Sequence, residues 1–197
     1  MSTTNTALQY DPITNEPFIR VPHRHANLIV TPPRPSDYIP LIDIMNDPTV
    51  YSYLYAPSHP FLESDAIEWI QSSKQECDKV LSNYSKHELL NPEIPIDGSP
   101  VNTIREILAD GTQKFVGEIS LKRSRCLVHL HQPDIMKQKL QENNDRSLGD
   151  PDILHDVSPY LAPSHHGRGI ASAVLRTLTA CWYLPRMKIR NVEAGIF

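Results

Sequence analysis

Glycine, cysteine and long apolar runs are all scarce in this chain. Its 197 residues include seven glycines and three cysteines, and the longest uninterrupted apolar run, residues 180–184, has five residues. A membrane-spanning helix needs roughly 20 apolar residues, so none is expected. The cysteines are odd in number and form no C-x-x-C pair, which indicates reduced thiols. Residues 1–10 lack the basic start and apolar centre of a secretory signal. These absences predict a cytoplasmic location and leave a nuclear one open.

An excess of positive charge is missing as well. The net charge is −4 and the isoelectric point is about 6.1, so nucleic-acid binding by bulk neutralisation of phosphates is not expected. Hydrophobic residues make up 40% and charged residues 21% of the chain, which is ordinary for a globular protein. At roughly 150 residues per domain, the length predicts one domain with an extension, large enough to fold without disulfides or a metal.

Proline is abundant, and ten of the 18 prolines lie in the first 60 residues. Pro12, Pro17 and Pro22 interrupt residues 1–27, which we therefore interpret as an irregular N-terminal arm. The β-branched run at residues 28–31 predicts a strand, which Pro32 and the following proline end. A helix is expected next, from a cap at residues 36–37 to the turn at residues 46–48.

The remainder of the chain alternates strands and helices. We predict a helix at 64–81, a hairpin of strands 102–108 and 114–121 around Asp110–Gly111, and a strand at 153–162. Residues 122–151 form a long insertion with a short helix near 135–140, and a helix at 168–184 ended by Pro185 precedes a last strand at 189–197. This order predicts an α/β (α+β) fold with a mixed sheet, in one domain spanning 28–197.

The most informative motif is the turn HGRGIA at residues 166–171, which leaves a strand and enters an amphipathic helix. Backbone N–H groups at such a turn have no partner within the helix, and together with the helix dipole they favour a phosphate or pyrophosphate. A Walker loop needs Gly-Lys-Ser/Thr, and a dinucleotide fingerprint needs a third glycine where residue 172 is Ser. Both of those phosphate-loop motifs are therefore excluded.

This turn resembles the GNAT superfamily of acyl-CoA-dependent N-acetyltransferases. Their motif has Gln or Arg, two variable residues, Gly, a variable residue, and Gly or Ala, and His166 stands here in place of Gln or Arg. The lead-in DVSPYLAP (156–163) resembles the strand E-I-G-Y-W-L-A-P of ribosomal-protein-alanine acetyltransferases, and NVEAGIF (191–197) resembles the strand after their helix. The likeness extends loosely to residue 28.

The resemblance implies a mostly antiparallel mixed sheet, flanked by helices, whose fourth and fifth family strands splay apart around acetyl-CoA. It implies that no metal takes part in the reaction. It also implies that the following residues contact CoA: Tyr160, Leu161, Ala162, His166, Gly167, Arg168, Gly169, Ile170 and Ala171. A backbone N–H near Leu161 would act as oxyanion donor.

The implied reaction is direct attack by a primary amine, of a protein N-terminus or a small molecule, on the acetyl thioester. The amine must lose a proton, and a carboxylate can accept it, often through water. Asp156 stands at the position of the subgroup's strand carboxylate and is the first candidate base, and Glu118 is the second. No residue is assigned as the acid that protonates the departing thiolate.

The family usually continues past its fifth strand with a helix and further strands. On that basis we expect this chain to lack those elements, with an exposed edge beside residues 189–197 that a second copy could complete as a homo-oligomer. The alternative function is a non-catalytic acyl-CoA-binding relative or an interaction protein.

Three other groups of residues have two interpretations each. Tyr51, Tyr53 and Tyr55 could line an acceptor pocket or pack as an aromatic strand. A metal pair at residues 165–166, or a zinc site at residues 126–131, competes with an ordinary turn and a surface loop. The metal interpretations lack the fourth ligand that structural zinc requires.

Overall fold

The structure is a computed structural model that describes residues 8–54, 57, 59–91 and 93–194, without the side chains of residues 23 and 87–90. Within this part of the chain, seven strands form one sheet in which sequence neighbours are spatial neighbours. The strands are β1 (Gln9–Tyr10), β2 (Pro17–Arg20), β3 (Leu28–Thr31), β4 (Thr103–Ile107), β5 (Gln113–Arg123), β6 (Leu154–Leu161) and β7 (Asn191–Glu193). Every pair is antiparallel except β6 and β7, which run parallel. The predicted mixed α+β architecture is confirmed.

Helices cover both faces of this sheet. They are α1 (Tyr38–Met45), α2 (Pro48–Tyr51), α3 (Glu63–Leu90), α4 (Pro133–Asn144), α5 (Ile170–Leu178) and α6 (Leu184–Met187). Val157 and Leu161 of β6 pack with α5 in one hydrophobic cluster, whereas Tyr160 packs with α1 and the start of α3 in another. Because strand side chains alternate between faces, β6 separates an α5 face from an α3 face.

The expectation of an irregular N-terminal arm was wrong for residues 9–20. β1 and β2 lie in this segment and extend the sheet from β3, with Ile19 opposite Val30. Ile19 is almost fully buried in the main core. Pro12 and the residues after it form the turn between the two strands, and Pro17 opens β2 near the sheet edge, where a missing N–H is tolerated.

The helix predicted at 168–184 is divided in the structure, and Pro185 does not end it. α5 stops at Leu178, and the following π-helical turn (Thr179–Tyr183) leads directly into α6. Pro185 has no N–H to donate and its ring crowds the preceding turn, so a wider turn precedes it. The Leu184 N–H accordingly bonds to the carbonyl of Thr179, five residues back.

The other predicted elements occur with shifted ends. The hairpin and the helix within the insertion are confirmed, the insertion's first residues belong to β5, and α3 extends nine residues beyond the predicted 81 to Leu90. The last strand is shorter than 189–197: its described part is β7, and residues 195–197 lie outside the described residues. Its pairing with β6 covers only three residue pairs.

Candidate active site

The backbone of β6 presents one edge to β5 and the other toward β7. The Ala162 N–H bonds to the Val116 carbonyl at 2.8 Å, and the Ser124 N–H bonds to the Leu154 carbonyl at 2.8 Å. In an antiparallel pair the hydrogen-bonding positions alternate, so residues 157, 159 and 161 direct their backbone groups away from β5. Pro159 occupies one of these positions, and its missing N–H costs no bond to β5.

β6 and β7 pair over a short segment of the described residues. Asp156 stands opposite Glu193, and within the described residues no β7 partner is paired with Val157 to Leu161. We call the side of residues 157–161 that faces away from β5 the outer edge of β6. The glycine turn follows β6 directly after this edge. Backbone groups on such a strand edge are those to which an extended ligand adds main-chain hydrogen bonds.

The glycine turn has the backbone geometry that its sequence predicts. Gly167 and Gly169 have φ values of +69° and +72°, in the left-handed region that favours glycine. A Cβ at either position would meet nothing within 4 Å, so both glycines face open space. Gly169 directly precedes α5, and its carbonyl accepts the Ala173 N–H at 3.0 Å. The first N–H groups of α5, which have no partner within the helix, follow this turn.

The His166 side chain contacts the outer edge of β6. Its Nε2 lies 2.8 Å from the Leu161 carbonyl oxygen, so the ring donates a hydrogen bond there. The neighbouring His165 points elsewhere: it is buried, with Nε2 3.2 Å from Glu106 and Nδ1 2.9 Å from the Ser164 hydroxyl. The two histidines have separate partners. Among the described residues no group of three His, Cys, Asp or Glu side chains could hold a metal ion.

Both candidate carboxylates line a cavity of about 830 Å³ on the α3 face, which we call the Glu118 cavity. Its wall also includes Trp69, Tyr160, Pro159 and Val157. The volume is that of a small-molecule site. None of residues 161–171 lines this cavity, so the glycine turn is not part of its wall.

Glu118 lies at the centre of a buried polar network. Its Oε2 accepts hydrogen bonds from Trp69 Nε1 at 3.0 Å and from the Tyr160 hydroxyl at 3.1 Å. Its Oε1 accepts from Asn102 Nδ2 at 3.1 Å, and Asn102 also donates to Ser73. Three donors surround the carboxylate, an arrangement suited to its charged form.

Burial nevertheless raises the pKa of Glu118 above its ordinary value, because desolvation of the charge outweighs the hydrogen bonds from Trp69 and Tyr160. Burial, together with the Glu118 carboxylate, raises the pKa of Tyr160 well above its ordinary value. Tyr160 therefore keeps its proton at neutral pH, and it is Glu118 that can accept one. A carboxyl group with a raised pKa is a suitable general base near neutrality.

Asp156 lies at the far end of the same cavity. It is four residues from Tyr160 along β6, about 13 Å at the usual strand rise. Its Oδ2 accepts the Arg125 N–H at 2.9 Å. Burial raises the pKa of the neighbouring Glu193, and so do a hydrogen bond with Asp156 and the charge of Asp156. Glu193 also accepts a hydrogen bond from Ser124. Asp156 is thus engaged with β7, away from the Glu118 network.

The remaining candidate residues have different surroundings. Tyr160 and Ala162 belong to the α3-face cluster, Leu161 and Ile170 are buried in the α5-face core, and Ala171 is half-buried against it. Arg168 is exposed. The aromatic-strand interpretation of residues 51–55 was wrong: Tyr51 ends α2, Tyr53 lines the Glu118 cavity, and residue 55 lies outside the described residues.

Sequence reasoning missed Trp69 and Asn102, which hold the Glu118 carboxylate. Trp69 lies 49 residues and Asn102 16 residues from Glu118 in sequence. Neither belongs to a local motif. One signal was present: a Trp on the polar-rich start of a helix and an Asn opening a strand both carry N–H donors that need a partner when buried.

No family model, no curated protein and no solved structure matches this chain. A functional assignment therefore depends on the geometry of the site and on the resemblance of its motif. Across the described helices, none combines the length and apolar character needed to cross a bilayer.

Proposed function

We propose that this chain is an acetyl-CoA-dependent N-acetyltransferase that acetylates a primary amine. The observation that carries the proposal is the course of β6. It pairs with β7 through Asp156, continues to Leu161 with its outer edge turned away from β5, and ends in a turn with two left-handed glycines at the start of α5. An extended ligand with a pyrophosphate at one end fits this combination of a strand edge and a following helix N-terminus.

The residues present fit the co-substrate. Leu161, between Tyr160 and Ala162, would hold the pantetheine arm at the outer edge of β6, because the backbone groups of those two neighbours face β5. The turn from Gly167 to Ala171 would hold the pyrophosphate, with Arg168 adding positive charge, and open space at both glycines allows that approach. Acetyl-CoA would supply an activated acetyl thioester, and the Leu161 N–H, directed away from β5, would donate to its carbonyl oxygen.

We assign the general base to Glu118. It lies in a cavity whose wall includes Val157, at the start of the outer edge of β6. Burial raises the pKa of Glu118 toward the range in which a carboxylate accepts a proton from an amine. The proton of the acceptor amine would pass to Glu118 through water. Trp69 and Tyr160 would position the carboxylate by donating to one of its oxygens. Asp156, engaged at the β7 end, would contribute charge to the cavity wall.

The acceptor would be a protein N-terminus or a small-molecule amine, bound in the Glu118 cavity. Phe61, Trp69 and Tyr53 give this cavity an aromatic side, and Asp65 and Glu68 lie at its α3 wall. Carboxylates and aromatic faces both attract a protonated amine before it loses its proton. A cytoplasmic location belongs to the same proposal.

A specific observation favours a second candidate, a non-catalytic acyl-CoA-binding protein. His166 donates to the Leu161 carbonyl, which lies on the edge that the pantetheine arm would use. An incoming ligand would have to displace the imidazole or bind around it. Such a protein would bind CoA with no turnover of any amine.

Calorimetric titration of the chain with acetyl-CoA, and with desulfo-CoA as comparison, tests the proposal. We expect both to bind, and we expect Arg168→Glu to weaken both because it reverses the charge beside the pyrophosphate. Arg190→Glu, an exposed position preceding β7, is the matched control. Binding without acetylation across a panel of amines supports the second candidate, and failure of a folded chain to bind either ligand contradicts both.

A further inference from the structure

A second cavity lies on the opposite side of the molecule, between β2 and α5. It measures about 710 Å³ and shares no lining residue with the Glu118 cavity. We call it the arginine cavity, because four arginines line it: Arg20, Arg24, Arg168 and Arg176. His25 adds a fifth basic side chain, and none of the described residues that line the cavity is acidic.

This concentration of charge is unusual for the chain. The protein as a whole carries a net charge of −4, yet four arginines, all of them exposed, line one concave site. Arg24, Arg168 and Arg176 form no ion pair with any described carboxylate. Like charges held around a cavity repel one another, and an anion between them removes that cost.

The guanidinium of Arg20 contacts other groups. Its Nη1 donates to the Ala26 carbonyl at 3.2 Å, and the group lies over the Phe18 ring, 5.5 Å from the centroid. Because side chains alternate along a strand, Arg20 and Phe18 lie on the face of β2 opposite to Ile19. The positive charge of the cavity is therefore assigned to Arg24, Arg168 and Arg176.

The floor of the cavity is apolar and results from small residues on one face of α5. Ala173, Arg176, Thr177 and Ala180 follow a spacing of three and four residues and face β2. The alanines leave a space that larger side chains would fill, whereas Ile170 and Val174 on the adjoining face pack tightly into the core. Ile19 of β2 and Val21, just after the strand, complete the floor.

We propose that the arginine cavity binds a small organic phosphate: a multiply charged phosphate group held by the arginines and an apolar or aromatic body resting on the floor. Guanidinium groups form two parallel hydrogen bonds with carboxylates and phosphates alike, but a phosphate has enough oxygens to pair with more than one guanidinium. The volume of the open cavity matches a small ligand. Arg168 and Gly169 belong both to this cavity and to the proposed pyrophosphate turn, whereas Arg24 and Arg176 belong to the cavity alone. The proposal depends on no step of the proposed acetyl transfer.

The test uses the full chain and 1-naphthyl phosphate as the probe, followed by its own fluorescence at low salt. Uncharged 1-naphthol and inorganic phosphate are the comparison ligands. We expect the probe to bind more tightly than either, and binding to weaken as salt is added. Arg24→Ala together with Arg176→Ala should weaken it at least about tenfold, since each removes a charge-assisted contact.

Two further variants make the result specific. Lys114→Ala with Arg190→Ala removes the same charge from exposed positions elsewhere and should change the affinity by less than about twofold. Ala173→Leu fills the floor while keeping all four arginines, and should weaken 1-naphthyl phosphate but not inorganic phosphate. Thermal melts establish that each variant is folded.

No binding by the folded parent chain, or equal losses in the cavity and control variants, would overturn the proposal. So would a probe that acetyl-CoA displaces completely and that is insensitive to Arg176, because the probe would then occupy the glycine turn. Failure of acetyl-CoA binding alone would count against the proposed transferase and leave the arginine cavity standing.

Discussion

The Tyr160 hydroxyl donates a 3.1 Å hydrogen bond to Glu118 from the residue directly opposite it on the neighbouring strand. Direct cross-strand partners place their side chains on the same face of a sheet. The carboxylate is therefore hydrogen-bonded to a side chain of β6, the strand whose outer edge would contact the co-substrate. Any ligand that moves β6 also moves a hydrogen bond to Glu118.

Glu118→Gln tests the base assignment. The amide keeps the size of the side chain but cannot accept the proton of an amine, so we expect acetylation to fall by about 10²- to 10⁴-fold with the affinity for acetyl-CoA unchanged. Steady-state rates and calorimetry measure the two quantities separately. Asp156→Asn is the control, and a larger loss of rate there than in Glu118→Gln would transfer the role to Asp156.

The raised pKa of Glu118 predicts how stability depends on pH. Above its ordinary pKa of 4.5 the unfolded chain releases this proton while the folded chain retains it, until the pH passes the higher folded pKa. Stability contributed by the group is thus complete below pH 4.5 and declines as the pH rises through the folded value. Denaturant melts of the parent minus those of Glu118→Gln should show this decline. A difference that is flat above pH 4.5 would mean that the pKa is not raised.

Gly117→Ala should destabilise the sheet at the site. A Cβ there would lie 2.2 Å from the Tyr160 carbonyl oxygen and 2.9 Å from the Leu161 Cα, both of them backbone atoms that cannot turn aside. We expect a loss of about 2–4 kcal/mol in denaturant melts. Gly111→Ala is the control, since its φ is +84° but nothing lies within 4 Å, and about 1 kcal/mol is expected. Equal losses would mean that β5 and β6 are not in such close contact.

Arg105→Leu should cost more stability than the loss of any exposed ion pair. Arg105 is almost fully buried and donates to both carboxylate oxygens of Asp37, at 2.9 Å and 2.6 Å. Removal of the cation leaves a buried charge unpaired, at a cost of about 3–5 kcal/mol. The exposed Lys74–Asp78 pair provides the comparison, with about 1 kcal/mol or less for Lys74→Leu.

The double variant Arg105→Leu with Asp37→Leu separates the pair from the packing around it. We expect it to be more stable than Arg105→Leu alone, because the uncompensated charge is gone. A double variant that is equally or less stable would assign the loss to packing of the Arg105 side chain.

Local patterns were sufficient for the elements that carry their own signals. The hairpin around Asp110–Gly111, the strand at residues 28–31 and the left-handed turn at Gly167 and Gly169 each depend on backbone preferences of adjacent residues. The division of the last long helix at Pro185 could have been expected from the same chemistry, but the prediction placed a simple end there. The strands β1 and β2 carry too few residues for a periodic pattern, and only the pairing of β1 with β2 and of β2 with β3 makes them strands.

The residues 166–171 by themselves determined an open turn suited to an anion at the start of a helix, since glycine alone adopts both of its left-handed positions without strain. Tertiary structure decided which carboxylate enters the buried network. The sequence made Asp156 the first candidate base and Glu118 the second, and pairing of β5 with β6 and packing of α3 placed Glu118 among Trp69, Asn102 and Tyr160. The same packing set four distant arginines around one cavity. Burial and proximity over such separations arise only when the chain is folded.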